Sequence, residues 1–484
     1  MSAPPVDDVR TDETPATTRV SVVPLLRRLH FYAGVLVAPF LVVAALSGLL
    51  YALAPQLDTM LYDDVLEASS TDGAARPVSE QVAAAQAALP DGTVTGVLLA
   101  DDPEATTQVV FSLPGLDEEY NQTVYVNPHT AQVQGQLTTW FGSTPVTTWL
   151  DNLHRHLHLG EPGRLYSELA ASWLWLIALG GVVLWLTRQR TARRRVKAVL
   201  VPESDAKGVR KTRSLHASLG MWVLIGALFL SATGLTWSTY AGENFSAALT
   251  ALNAKAPVLD TSLGGATGST GSDGHGEHSS GSQDTEPVDP ATFDRVLATA
   301  RAAGLDGPLQ LSVAAEPGTA WTAAQNDNTW PVRLDKIAVD PETAATTARA
   351  DWADRPFLAK LSTLGIQAHM GRLFGLANQI ALFLLAAGIL TLIVLGYRMW
   401  WQRRPTRADR RAPLGTAPKR GTWQHLPLWF VIPAPLVLIA IGWAVPLLGL
   451  SLLAFLVLDG LLGLARRRTG RGSGTDDVAA RPAS

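Results

Sequence analysis

A histidine stands at one end of each of four long apolar segments, and the four form a repeat. The segment opening at Leu29-His30 carries Gly34 and Ser47-Gly48, and the segment opening at Leu215-His216 carries Gly220 and Thr233-Gly234 at the same offsets. A second pair matches without a gap: His154, Gly181 and Trp185 correspond to His369, Gly396 and Trp400. Apolar runs of about twenty residues are what a helix needs to cross a hydrocarbon layer of about 30 Å. Ionisable side chains at that depth are costly and point to function.

The rest of the chain follows the same plan. Of 484 residues, 47% are hydrophobic and only 17% are charged, which is lean in charge for a soluble protein. Six apolar runs are visible, at 29–54, 166–187, 215–238, 375–401, 426–443 and 445–464. The fold class expected is a polytopic α-helical membrane protein with internal duplication and two small external α+β domains. Basic residues follow the second, fourth and sixth runs: Arg188 to Lys197, Arg403 to Arg411 and Arg466 to Arg468. The positive-inside rule then puts both termini and both basic loops in the cytoplasm. The domain plan that results is a disordered tail over 1–24, a first span over 25–54, and an external domain over 55–150. A histidine-bearing helix and second span occupy 151–187, a basic loop 188–214 and a third span 215–240. A second external domain covers 241–365, a fourth span 366–401, a basic loop 402–424, a two-span hairpin 425–464 and a tail 465–484.

Arg27-Arg28 before an apolar run resembles the start of a signal peptide. The run is long for that role, and cleavage would discard the part of the repeat that holds His30, so a retained span is expected. Cysteine is absent, which rules out disulfides, thiolate metal sites and covalent haem attachment. No nucleic-acid partner is expected.

The first external region reads as an amphipathic helix over 78–89 and strands near 94–100, 106–113 and 122–127. Its hairpin turns at Asn127-Pro128. The second repeats the plan, with a helix over 290–305 and a hairpin turning at Asp340-Pro341. Residues 263–286 form a Gly/Ser-rich linker that buries nothing.

A bis-histidine haem takes one neutral imidazole from each of two facing helices. His30 and His216 both lie at cytoplasmic ends, whereas His154 and His369 both lie near outer ends. The pairing expected is therefore His30 with His216 near the inner face and His154 with His369 near the outer face, holding two b-type haems. His30 and Gly48 are eighteen residues apart, five turns of helix, so they share a face. That glycine either lets the second macrocycle approach or merely lets helices pack. His156 and His158 compete with His154 as the outer ligand, and the gapless match to His369 favours His154. Arg155 and Arg372 are candidate propionate partners, because a guanidinium matches a carboxylate. Arg27, Arg28, Arg164 and Arg213 are weaker candidates, and lipid headgroups explain Arg27, Arg28 and Arg213 as well.

Other features read as structural. His275 and His278, with Asp273 and Glu277, form either a weak Zn²⁺ or Cu²⁺ site or an incidental solvated cluster in the linker, and the entropy cost of ordering that chain favours the second. His129 and His425 have no visible partner. Trp140, Trp149, Trp321, Trp330 and Trp352 either line a substrate surface or pack the external cores.

The motifs "RRLHFYAG" and "RSLHASLG", "LHRHLHLGEPGRL", "AHMGRLFGLANQ", "GYRMWWQRRP", two V-x-PxTA hairpins and "VPLLGLSLLAFLVLD" occur in that order. In this the chain resembles the PepSY-associated transmembrane family, the iron-regulated membrane proteins that include ferric-siderophore reductases, over about residues 25 to 465. The resemblance implies a membrane reductase with b-type haems and external PepSY domains. The expected function is electron transfer to a ferric siderophore or other ferric chelate at the outer face of the cytoplasmic membrane, for iron uptake. No nucleotide-binding motif is present, so the electrons must come from membrane quinol or a partner reductase. The competing expectation is a non-redox protein whose PepSY domains bind peptide or regulate an external protease. The linker histidines, His156 and His158 depart from the family pattern.

Overall fold

The computed structural model describes residues 23–188, 201–263, 288–314, 316–402 and 432–471. The linker histidines, His425 and most of the two basic loops lie outside these residues.

The first apolar run is two helices, α1 (Val23–Leu36) and α2 (Ala38–Tyr51), bent by 56° where a straight span is expected. Pro39 accounts for the bend. It has no N–H to give the carbonyl of Val35, four residues back, and its ring crowds that turn. α3 (Ala54–Leu66) follows directly. The second run is α6 (Glu161–Arg188), the third α7 (Gly208–Leu235) and the fourth α11 (Gly375–Gln402), each of 28 residues. At about 1.5 Å per residue each reaches about 42 Å, ample for a bilayer. With the bent pair, the described residues therefore hold up to four crossings.

The terminal hairpin is smaller than two full spans. Its first helix, Pro433–Ala444, has 12 residues, about 18 Å at helical rise, although residues 426–431 of the expected run lie outside the described residues. The second helix runs from Pro446 to Arg471. The two cross where Gly442 faces Gly449, and a Cβ on Gly449 would stand only 2.4 Å from the Gly442 Cα. The hairpin packs on α1 and α6: Leu448 and Leu452 join Ala33, Val37, Leu41, Ala170 and Trp173 in one buried cluster.

Outside the spans, the strands form one sheet instead of two separate domains. β1 (Thr93–Leu99), β2 (Thr107–Ser112), β3 (Tyr120–Val126) and β4 (Val133–Trp140) come from the first external region. β5 (Leu309–Ser312), β6 (Trp321–Gln325), β7 (Lys336–Val339) and β8 (Thr346–Ala350) come from the second. The order is β4-β3-β2-β1-β5-β6-β7-β8, antiparallel throughout, with the halves joined by Gly96↔Ser312 to Leu99↔Leu309. Gly96 is required at that seam, because a Cβ there would lie 2.7 Å from the Leu311 carbonyl oxygen.

One apolar core serves both halves. Helices α4 (Val78–Ala88) and α9 (Ala291–Ala302) cover the sheet, burying Val82, Ala85, Phe293 and Val296 against Val97, Phe111, Leu311 and Ile337. The Asp294 carboxylate of α9 accepts the Val78 amide at 2.8 Å, so the second half caps the helix of the first. Both predicted turns close on their own side chains. Asn127 accepts the His129 and Thr130 amides, and Asp340 accepts from Glu342 and Thr343. The Thr343 hydroxyl and Glu342 amide hold the Asp340 carboxyl below the usual range. Burial beneath the sheet pushes the Tyr125 phenol well up.

Two facing histidine pairs between the helices

Sequence-distant helices bring the four histidines together in two pairs. His30 on α1 faces His216 on α7, with ring centres 6.5 Å apart and planes at 82°. His154 ends helix α5 (Pro145–His156) and His369 ends helix α10 (Phe357–His369). Their ring centres are 6.4 Å apart, with planes at 56°. Helix α5 is aimed by its start: Thr144 caps it by accepting the Thr147 amide, and Asp58 of α3 accepts from the Thr144 and Thr147 hydroxyls. A left-handed Leu157 then ends it.

Each imidazole is oriented through Nδ1. His30 Nδ1 lies 3.1 Å from the Ile177 carbonyl and His216 Nδ1 lies 3.1 Å from the Leu392 carbonyl. His154 Nδ1 lies 2.9 Å from Ser47 Oγ and His369 Nδ1 lies 2.6 Å from Thr233 Oγ1. A carbonyl can only accept, so the His30 and His216 rings carry their proton on Nδ1 and leave the Nε2 lone pair for a ligand.

The repeated glycines make room for these rings. A Cβ on Gly48 would stand 3.1 Å from His154 Cε1, and one on Gly181 would stand 3.2 Å from His30 Cε1. The corresponding distances are 3.7 Å from Gly234 to His369 and 4.0 Å from Gly396 to His216. Thus Gly48 does sit at the outer pair, but what it abuts is the histidine. Helix packing falls to other positions: a Cβ on Gly388 would meet Val223, and one on Gly226 would meet Leu385. Gly34 faces open space.

Each half of the chain thereby holds one histidine of each pair. In the first half, α6 grips His30 and α2 grips His154. In the second, α11 grips His216 and α7 grips His369. Both facing pairs span the boundary between halves.

An imidazole nitrogen on a transition metal lies about 2 Å from it, with the ring centre about 1 Å further, so two imidazoles on opposite sides of one iron are about 6 Å apart between centres. The separations of 6.5 and 6.4 Å fit that spacing. The residues present therefore fit two bis-histidine haems.

The competing histidines point elsewhere. His158 is exposed, has positive φ and lies against Trp149 with ring centres 5.1 Å apart. His156 bonds Asn152 through Nε2 at 3.0 Å. His129 has partners that its sequence does not show: its ring bridges the Gly73 and Pro103 carbonyls and ties two loops.

The arginines divide as well. Arg155 pairs with Asp151 at 3.3 Å and lies 5.1 Å from the Trp140 ring centre. Arg372 is exposed. Arg28 is a correction. It is buried and paired with Asp459 of the terminal hairpin, so it serves helix docking instead of lipid or propionate. Arg164 donates to Thr239 at 3.2 Å. Of the tryptophans, Trp321 is buried against Phe293 in the sheet core, while Trp149 and Trp330 are exposed.

Three features went unread in the sequence. In the sequence Ser47 and Thr233 stand out only as repeat markers, although a hydroxyl beside a ring-clearing glycine is a usable signal. Trp237, one turn beyond Thr233, stands edge-on to His369 with ring centres 6.0 Å apart. Glu168, 2% exposed inside α6, accepts the Tyr240 and Ala241 amides at 3.1 and 3.0 Å and so anchors helix α8 (Thr239–Ala251). Its place in an apolar span was the signal.

No curated protein matches the chain. The family model for the PepSY-associated TM region matches residues 27–403, from just before His30 to just past the end of α11. With long apolar helices, a sheet beyond them and a match over most of its length, the chain is a membrane protein that belongs to the PepSY-associated transmembrane family.

Proposed function

We propose that this protein is a di-haem electron-transfer protein of the cytoplasmic membrane that reduces a ferric siderophore or another ferric chelate at its outer face. The observation that carries this reading is the geometry of the two histidine pairs. Each has the ring separation of an iron sandwich, and its Nδ1 atoms are already engaged. His30 and His216 would hold the inner haem b, and His154 and His369 the outer one. The haems would supply one-electron chemistry, and the protein would set potential through ligand hydrogen bonding and burial. Arg155 and Arg372 flank the outer pair and suit its propionates.

Direction follows from charge. The basic segments put both termini in the cytoplasm, the sheet outside, and His154 and His369 nearest to an arriving chelate. Ferrous iron binds hard oxygen donors less tightly than ferric iron, so reduction would release the metal. The donor would be membrane quinol or a partner reductase.

The test is a pyridine haemochrome assay and visible spectrum of purified protein from cells supplied with iron and a haem precursor. Two haems b per chain, with a Soret band and split α/β bands, are expected. Protein without haem would overturn the reading.

A further inference from the structure

We propose that the hydroxyls of Ser47 and Thr233 are positioning residues that lock the proton of His154 and His369 on Nδ1 and set the reduction potential of the outer pair. The proposal rests on the di-haem reading above.

The argument begins with a count of protons. Thr233 Oγ1 lies 2.7 Å from the Phe229 carbonyl and 2.6 Å from His369 Nδ1. Ser47 Oγ lies 2.8 Å from the Val43 carbonyl and 2.9 Å from His154 Nδ1. A hydroxyl has one proton and a carbonyl has none. Only one arrangement makes both contacts hydrogen bonds: the hydroxyl donates to the carbonyl, and the imidazole N–H donates to the hydroxyl. The alternative leaves two oxygens facing each other at under 3 Å with no proton between them. Each outer ring is therefore fixed with Nε2 unprotonated and available to iron.

An acceptor on Nδ1–H has a second consequence. It makes the imidazole more basic and a stronger donor through Nε2. A stronger donor favours ferric over ferrous iron, which lowers the potential. At the inner pair the acceptors are the backbone carbonyls of Ile177 and Leu392, which no substitution removes. At the outer pair they are side chains, so its potential is written into two replaceable residues. Each is followed by the glycine that clears space for the same ring, which makes hydroxyl-Gly a single device. Ser47 is 2% exposed, so bulk water does not stand in for it.

The test is potentiometric titration of the full-length, haem-loaded protein in detergent, followed by Soret absorbance and EPR. The outer signal is the one that His369→Ala removes. Thr233→Val keeps the shape and loses the acceptor. It should raise the midpoint of the outer signal and leave the inner one in place, and Thr233→Ser should restore the wild-type value. Ser47→Ala should shift the outer midpoint the same way. Should Thr233→Val shed the outer haem, retention in Thr233→Ser supports the hydroxyl's role, and loss from both overturns it. An outer midpoint unmoved in both Thr233→Val and Ser47→Ala also overturns it. A wild-type protein without haem is a separate result, which refutes the di-haem reading itself.

Discussion

The Tyr397 hydroxyl donates, at 3.1 Å, to the carbonyl of Val35, the acceptor that Pro39 leaves without its helical donor. A bend in the first span, between the two histidine sites, is thus completed by a side chain from the other half of the chain. Within a membrane a freed carbonyl must find such a partner.

Tyr397→Phe should therefore destabilise the protein without touching either pair. An acceptor left without a donor costs about 1–3 kcal/mol. Thermal unfolding in detergent should show a lower melting temperature with haem content unchanged. A variant as stable as wild type would mean that the bend does not need this bond.

The pairs give a sharp expectation for single variants. His30→Ala and His216→Ala should each remove one low-spin EPR signal, and His154→Ala and His369→Ala the other. His158→Ala should leave both, since its ring lies on Trp149. Loss of the same signal from His30→Ala and His154→Ala would refute the arrangement.

Clearance at the rings can be probed directly. Gly181→Val places bulk where a Cβ alone lies 3.2 Å from His30 Cε1. Overpacking costs about 1–3 kcal/mol, so inner haem affinity should fall by about 5- to 150-fold. Gly34→Ala, which meets nothing within 4 Å, is the matched control. Haem titration of the apoprotein distinguishes them, and equal affinities would remove the glycine from the site.

The exit for electrons is open to a kinetic test. Reconstituted, dithionite-reduced protein should be reoxidised by an external ferric siderophore in stopped-flow Soret measurements. Deleting residues 266–284 should leave the rate nearly unchanged, because a loop's ends need only be spanned. His369→Ala should suppress it strongly, and equally fast reoxidation in that variant would show that the outer pair is not the exit.

Much of this architecture is legible in the chain because its causes are local. The length of an apolar run sets which segments can cross a bilayer, and alternation with turn residues marks the strands. Gapless offsets put His30 with His216 and His154 with His369 before any helix is placed. Asn127-Pro128 and Asp340-Pro341 announce their turns through side chains that bond two residues onward.

What only the tertiary structure decided involves partners far apart in sequence. The pairing of β1 with β5 turns two expected domains into one sheet, and strand edges carry no address in their composition. The Arg28–Asp459 pair joins residues at opposite ends of the chain, so Arg28 reads from sequence as one more interfacial cation. Ser47 and Thr233 become acceptors for His154 and His369 only when α2 meets α5 and α7 meets α10. The sequence by itself determined which residues are the candidates for chemistry, because burying a histidine in an apolar run is costly wherever it occurs. The fold determined which atom of each ring is free, because a proton's position depends on the neighbour that packing supplies.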